Sequence, residues 1–274
     1  MSDDLRLALH VATQAGDRLM DLRSHGRDGT LGTASRRPGR GRSTDTADES
    51  TDRLIGSILA AERPDDAILS EEVASAGDRT TARRVWIIDP LDGTREYGED
   101  GRRDWAVHVA LWQRSFGAEG ELTDGVVALP AADEVWSTAG APADPVSRPI
   151  RRVAVSRTRP PAWALAVAEE LGAEVVPLGS AGAKTAAVLR GDVDAYFHDG
   201  GQYEWDSAAP VVVARHHGFH ASRADGSTLV YNRPDVYLPD LVVCPAAQAE
   251  GLLARIARHR QPVTTAPLAT GSAP

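Results

Sequence analysis

The chain has 274 residues, 42% of them hydrophobic and 25% charged, with a formal net charge of −9. That balance excludes a mainly disordered or membrane-embedded chain, and the surplus of acid argues against a general binder of nucleic-acid polymers, whose phosphates attract Lys and Arg. The length suits one large fold or two tightly joined subdomains, and the single cysteine, Cys244, supports neither an internal disulfide nor a cysteine-based zinc site.

The chain begins Met1-Ser2-Asp3-Asp4, without the basic and apolar regions of a signal peptide, and holds no run of about eighteen apolar residues, so a cytoplasmic protein is expected. From Asp4 to Ser24, Leu5, Leu9, Ala12, Ala15, Gly16 and Leu19 recur near helical spacing. Residues 26–43 are rich in Gly and Arg, with Arg36, Arg37, Arg40 and Arg42 among them. They read as a solvated surface loop or as a lid bringing positive charge to an anion.

A second helix is predicted over 48–62, with Leu54, Ile55, Ile58 and Leu59 on one face. The short strand Ala67-Ile68-Leu69 then delivers Ser70-Glu71-Glu72, and the buried strand Arg84–Ile88 delivers Asp89-Pro90-Leu91-Asp92-Gly93-Thr94. Residues 105–112, 123–130 and 133–138 follow as strands of an antiparallel sheet. The Ala/Pro-rich stretch 140–149 reads as a connector, which divides the chain into an α+β part at 1–145 and an α/β part at 146–260. The second part alternates strand 152–156, helix 160–171, strand 174–178, helix 181–190, strand 193–197 and a helix from Asp206 to about His217. The tail at 261–274 has no periodicity and is expected to be disordered. Cys244 ends an apolar run, Leu241-Val242-Val243, where a small buried side chain is the reading.

The segment from Asp89 to Thr94 carries the chemistry. Pro90 fixes its own φ and biases Asp89 to extended geometry, which predicts an abrupt turn where the strand ends. Two carboxylates and the Leu91 carbonyl between them form an all-oxygen ligand set suited to Mg²⁺, and Gly93 leaves its N–H unobstructed. By itself the segment is equally a turn. It gains meaning from Glu71-Glu72 at a neighbouring strand end and from Asp206 in Trp205-Asp206-Ser207-Ala208-Ala209-Pro210, where the bland alternative is a helix cap.

Together these three segments resemble the motifs of the lithium-sensitive, Mg²⁺-dependent phosphatases, a superfamily of inositol monophosphatases, fructose-1,6-bisphosphatases and 3′(2′),5′-bisphosphate nucleotidases. The resemblance runs from Asp48 to about Leu241 and implies an α/β fold, a layered αβαβα sandwich. It implies a first metal held by Glu71, Asp89 and the Leu91 carbonyl, and a second held by Asp89, Asp92 and Asp206. Two or three Mg²⁺ ions are expected in all, with Asp48 near the third. Gly93 and Thr94 would meet the phosphate through backbone N–H groups, and the Thr94 hydroxyl with Glu71 would orient the attacking water. Leu91, Asp92 and Asp206 would border the substrate as well.

Several stretches are most similar to the bisphosphate nucleotidase branch: Arg95-Glu96-Tyr97, Asp104-Trp105-Ala106-Val107-His108, Gly179-Ser180-Ala181-Gly182-Ala183-Lys184 and Gly201-Gln202-Tyr203-Glu204. That similarity implies hydrolysis of a bisphosphorylated adenosine nucleotide, 3′-phosphoadenosine 5′-phosphate, to AMP and phosphate in sulfate assimilation. Ser180 and Lys184 are expected at the second phosphate, with Ser156 and Arg157 as weaker candidates, and Glu204 at a ribose hydroxyl. The alternatives are inositol 1-phosphate or fructose 1,6-bisphosphate as substrate, or a non-catalytic protein that binds a phosphorylated ligand. A homodimer is compatible with this reading. His108, His198 and His217 lie in or beside apolar segments and read as packed or exposed bystanders.

Overall fold

A computed structural model of the protein describes residues 1–27, 42–71, 79–114, 120–140 and 149–260. Residues 28–41 of the Arg-rich loop, Glu72, residues 141–148 of the connector and the tail at 261–274 lie outside them.

Two helices open the chain, α1 (Asp3–Arg27) and α2 (Arg42–Glu62), the second beginning six residues before the predicted start at Asp48. Strands β1 (Ala67–Ser70), β2 (Arg84–Asp92), β3 (Ala106–Gln113), β4 (Glu121–Leu129) and β5 (Glu134–Ser137) form one sheet in that order. The first pair is parallel and the others are antiparallel. A short helix, α3 (Thr94–Gly98), follows β2. The second half supplies β6 (Arg152–Ser156), α4 (Ala162–Leu171), β7 (Glu174–Leu178), α5 (Ala181–Arg190), β8 (Ala195–Tyr203), α6 (Glu204–His216), β9 (Phe219–Ser222), β10 (Tyr237–Pro245) and α7 (Ala249–Arg260). Its strands make a second sheet in the order β7-β6-β8-β10-β9.

Both sheets are covered on both faces, so their central strands read as continuous apolar runs instead of an alternation. Along β2, Trp86 and Ile88 point to the α1/α2 side, while Val85 and Ile87 point to a middle layer containing α5 and α6. Along β10, Leu241 and Val243 enter that same middle layer, while Val242 and Cys244 face α4 and α7. The layers therefore run α1/α2, first sheet, α5/α6, second sheet, α4/α7, which is the expected αβαβα sandwich. Fully buried side chains such as Trp86, Ile87 and Phe197 contribute roughly 1.5–3 kcal/mol each through removal from water. Cys244 is packed in the outer layer, and burial pushes its thiol up to about 12, so it is inert. Within the described residues, no helix is long and apolar enough to cross a membrane.

The sequence reading omitted β9, β10 and α7, and ended β8 too early. The extra length of β8 includes Gly200 and Gly201, whose φ values of 75° and 77° suit glycine alone.

Candidate active site

The parallel pairing of β1 with β2 brings the two acidic segments together. Ser70 lies opposite Ile88, so Glu71 leaves β1 beside the point where Asp89 leaves the apolar part of β2. The predicted turn at Pro90 does not occur. Strand β2 runs on to Asp92, and its pairing with β3 slips: Asp89 faces His108 and Asp92 faces Ala106. Three steps along β2 therefore match two along β3, the signature of a one-residue bulge. The slip decides the chemistry. In a regular strand, side chains three apart project from opposite faces, but the bulge restores the parity and puts both carboxylates towards the middle layer. Pro90 is tolerated because a bulge leaves one residue without a ladder partner. The chain turns only at Gly93, at φ 88°.

Asp206, in the first turn of α6, completes the group. Carboxylate oxygens of Asp89, Asp92 and Asp206 all lie within 4.8 Å of one another. The Asp89 Oδ1 accepts the Leu91 N–H at 3.0 Å, and an Asp206 oxygen accepts the Tyr203 N–H at 2.7 Å. Burial, followed by the charge of Asp92, pushes both the Asp89 and Asp206 carboxyls well above the usual carboxylate range. Asp92 behaves differently. Burial opposes its charge, yet His108, Lys184 and the Gly182 N–H together hold its carboxyl below the ordinary value. The contacts are 3.2 Å from His108 Nε2 and 2.9 Å from the Gly182 N–H to the same Asp92 oxygen. His108 Nδ1 lies 3.2 Å from the Trp205 carbonyl. One anchored carboxylate and two that resist ionisation in the protein alone make an oxygen donor set that fits a hard divalent cation such as Mg²⁺.

These groups line a cavity of about 390 Å³. Its acidic wall also carries Glu71, Leu91, Gly93 and Thr94, and the Thr94 hydroxyl donates to the Leu91 carbonyl at 3.2 Å. The facing side is cationic, with Arg95, Arg157, Arg159 and Lys184, and is flanked by Tyr203 and Trp205, stacked at 5.0 Å. A cavity that combines carboxylates able to hold a cation with basic side chains suits a ligand with phosphate on it.

The family profile of the inositol monophosphatases matches residues 1–264 of the chain. The protein belongs to that family. It is 50% identical to the 3′-phosphoadenosine 5′-phosphate phosphatase of Mycobacterium leprae over 259 residues, 91% of this chain and 92% of that protein. It is 52% identical to the enzyme of the same name from Mycobacterium bovis over 220 residues, 77% of this chain and 82% of that one. Among solved structures, an inositol monophosphatase from Zymomonas mobilis superposes with a TM-score of 0.72 at 20% identity, covering 93% of this chain and 98% of that one. Inositol monophosphatase II from Staphylococcus aureus gives 0.74 at 18% identity, covering 92% and 93%. The sandwich is thus the fold of inositol monophosphatases.

Within this family member, several residues stand elsewhere than expected. Ser180 is the N-cap of α5, its Oγ accepting the Ala183 N–H at 2.7 Å, so it holds the helix instead of a phosphate. The Lys184 ammonium lines the cavity, but it donates to the carbonyls of Gly179 and Ser180 and lies 5.0 Å from the centre of the Tyr196 ring. Burial lowers it to about 8. Glu204 turns away from the cavity. Its two oxygens accept the N–H groups of Asn232 and Arg233 at 2.7 Å each, so both are engaged within the protein. Ser156 lines the cavity, and its Oγ accepts the Arg159 N–H at 3.2 Å. Asp48 is buried in α2, within charge range of Asp89, but does not line the cavity. His108 and His198 are both buried, and neither is a bystander: one contacts Asp92, the other lines the cavity. Their apolar neighbours along the strand concealed this, because contact partners lie on other elements.

Proposed function

We propose that the protein is a metal-dependent phosphomonoesterase that removes the 3′-phosphate of 3′-phosphoadenosine 5′-phosphate, leaving AMP. The observation that carries the reaction class is the convergence of Asp89, Asp92 and Asp206 within 4.8 Å, facing a cationic wall. The substrate is supported by the 50% identity with the M. leprae phosphatase, spread over nearly all of both chains.

Glu71, Asp89, Asp92, Asp206 and the Leu91 carbonyl would hold two or three Mg²⁺ ions, with Asp48 nearby. Bound there, the ions supply the positive charge that phosphoryl transfer to water requires. The chain's own groups do the rest. Asp92 is kept ionised and immobile by His108 and the Gly182 N–H, so one donor is in place before substrate arrives. Gly93 and Thr94 present backbone N–H groups to the phosphate oxygens, and Glu71 with the Thr94 hydroxyl orients the attacking water. Tyr203 and Trp205 offer aromatic faces for a base.

The test is phosphate release from 3′-phosphoadenosine 5′-phosphate, inositol 1-phosphate and fructose 1,6-bisphosphate at saturating Mg²⁺, with and without a chelator. The expected result is the highest kcat/KM on the nucleotide and loss of turnover on chelation. A higher kcat/KM on inositol 1-phosphate would remove the substrate assignment, and turnover indifferent to chelation would remove the metal.

A further inference from the structure

We propose that Arg159 is the anchor for the second, non-reacting phosphate of the bisphosphorylated nucleotide, an assignment that rests on the substrate reading above. The 3′- and 5′-phosphates of such a nucleotide are attached to opposite sides of one ribose. With the reacting phosphate at the carboxylates, the other meets a different part of the same cavity, whose lining includes the cations Arg95, Arg157, Arg159 and Lys184.

Two of these cations are already engaged. Arg157 pairs with Glu96 at 2.6 Å and Glu99 at 2.7 Å. Lys184 is spent on two backbone carbonyls. Among the described residues, Arg95, exposed at the start of α3, makes no hydrogen bond or ion pair and only lies in the field of Glu99. The Arg159 guanidinium likewise has no hydrogen bond or ion pair among the described residues; only its backbone N–H is used, by Ser156.

Its position is nevertheless defined. The guanidinium lies flat against Gly201, where an added Cβ would sit 2.9 Å from Nη1 and 3.3 Å from Nη2. Gly201 is held in turn by its N–H donating to the Tyr237 hydroxyl at 3.3 Å. Gly201, left-handed like its neighbour Gly200, thus clears a place for the arginine. A guanidinium that is placed but uncommitted is matched to the paired oxygens of a phosphate, and the adjacent aromatic faces put the purine within reach of the same wall.

The experiment compares 3′-phosphoadenosine 5′-phosphate with adenosine 3′-phosphate, which keeps the scissile ester and the base but lacks the 5′-phosphate. Loss of a charge-assisted contact of this kind corresponds to about a 10- to 100-fold change. Arg159→Gln is expected to raise KM for the bisphosphate by that factor, with kcat within about threefold and both constants for adenosine 3′-phosphate unchanged. Arg159→Lys should recover part of the loss. Equal impairment on both substrates, or unchanged constants on the bisphosphate, would overturn the assignment. A wild-type enzyme that turns over both nucleotides equally well overturns the second-phosphate site, whereas one that hydrolyses neither overturns the substrate reading and this assignment with it.

Discussion

Asp89 and Asp92 belong to β2, paired on one side with β1 and on the other with β3, whereas much of the remaining cavity lining comes from separate segments, 156–159, 179–184 and 201–206, the last carrying Asp206. In the first, a ladder of backbone bonds sets the positions of Asp89 and Asp92. In the second, groups are held by local devices: a Ser180 cap, the Lys184 ammonium on two carbonyls, Gly201 against Arg159. Carboxylates built into a sheet resist displacement, while a lining gathered from strand ends and helix starts permits change in one contact without moving the others.

Removing a donor from the sheet wall should break the comparison most sharply. Asp92→Asn is expected to lower kcat/KM at least about 10³-fold, while circular dichroism and thermal melting show an intact fold. A variant with near wild-type turnover would remove Asp92 from the site. His108→Gln tests the support behind that donor. Loss of an outer partner of a ligand costs about 10- to 100-fold in metal affinity, so the Mg²⁺ concentration for half-maximal activity should rise by that factor, with turnover restored at high Mg²⁺. An unchanged Mg²⁺ curve would make the 3.2 Å contact between His108 and Asp92 incidental.

Gly93→Ala acts where the walls meet. The new Cβ would lie 3.0 Å from Ser180 Cβ and 3.3 Å from the Asp104 carbonyl, at a φ of 88°. A loss of about 1–2 kcal/mol is expected from the backbone conformation alone, read as a lowered melting temperature. A variant as stable as wild type would mean that the walls are free to separate.

The smallest effect belongs to His198, on the loop side. Burial, then the charge of Lys184, depresses its imidazole to about 3 from an ordinary value of 6.5. The unfolded chain therefore takes up a proton that the folded protein refuses, so stability falls as pH drops from 6.5 towards 3. His198→Asn should flatten that limb, with a difference on the order of 1 kcal/mol between pH 7.5 and 5.5 in denaturant melts. Parallel wild-type and variant curves would show that His198 is hydrated.

Much of this was legible beforehand, and the division follows the range of the interactions. Strands β2 to β5 show as β-rich segments between turns, and α5 as a helical period after a strand, because those signals are local. By contrast, β10 begins with Tyr237, Pro239 and Asp240, and its apolar half is too short to separate strand from helix. Glu204 looked like a ligand for sugar because it precedes Trp205-Asp206. Only the loop at Asn232 and Arg233, 28 and 29 residues away, shows that its oxygens are taken.

Residue chemistry and spacing singled out Asp89, Asp92 and Asp206 as candidate ligands, and the resemblance of the segments around them pointed to the phosphatase family and the layered α/β fold, since carboxylates, prolines and apolar periods act over a few residues. The tertiary structure decided how those carboxylates share a face, because a one-residue slip of β2 against β3 is a property of the pair and not of either strand. It also decided which residues serve as supports. Asp92 is fixed by Gly182, 90 residues on, and Arg157 is neutralised by Glu96, 61 residues back, partners that only folding brings within hydrogen-bonding distance.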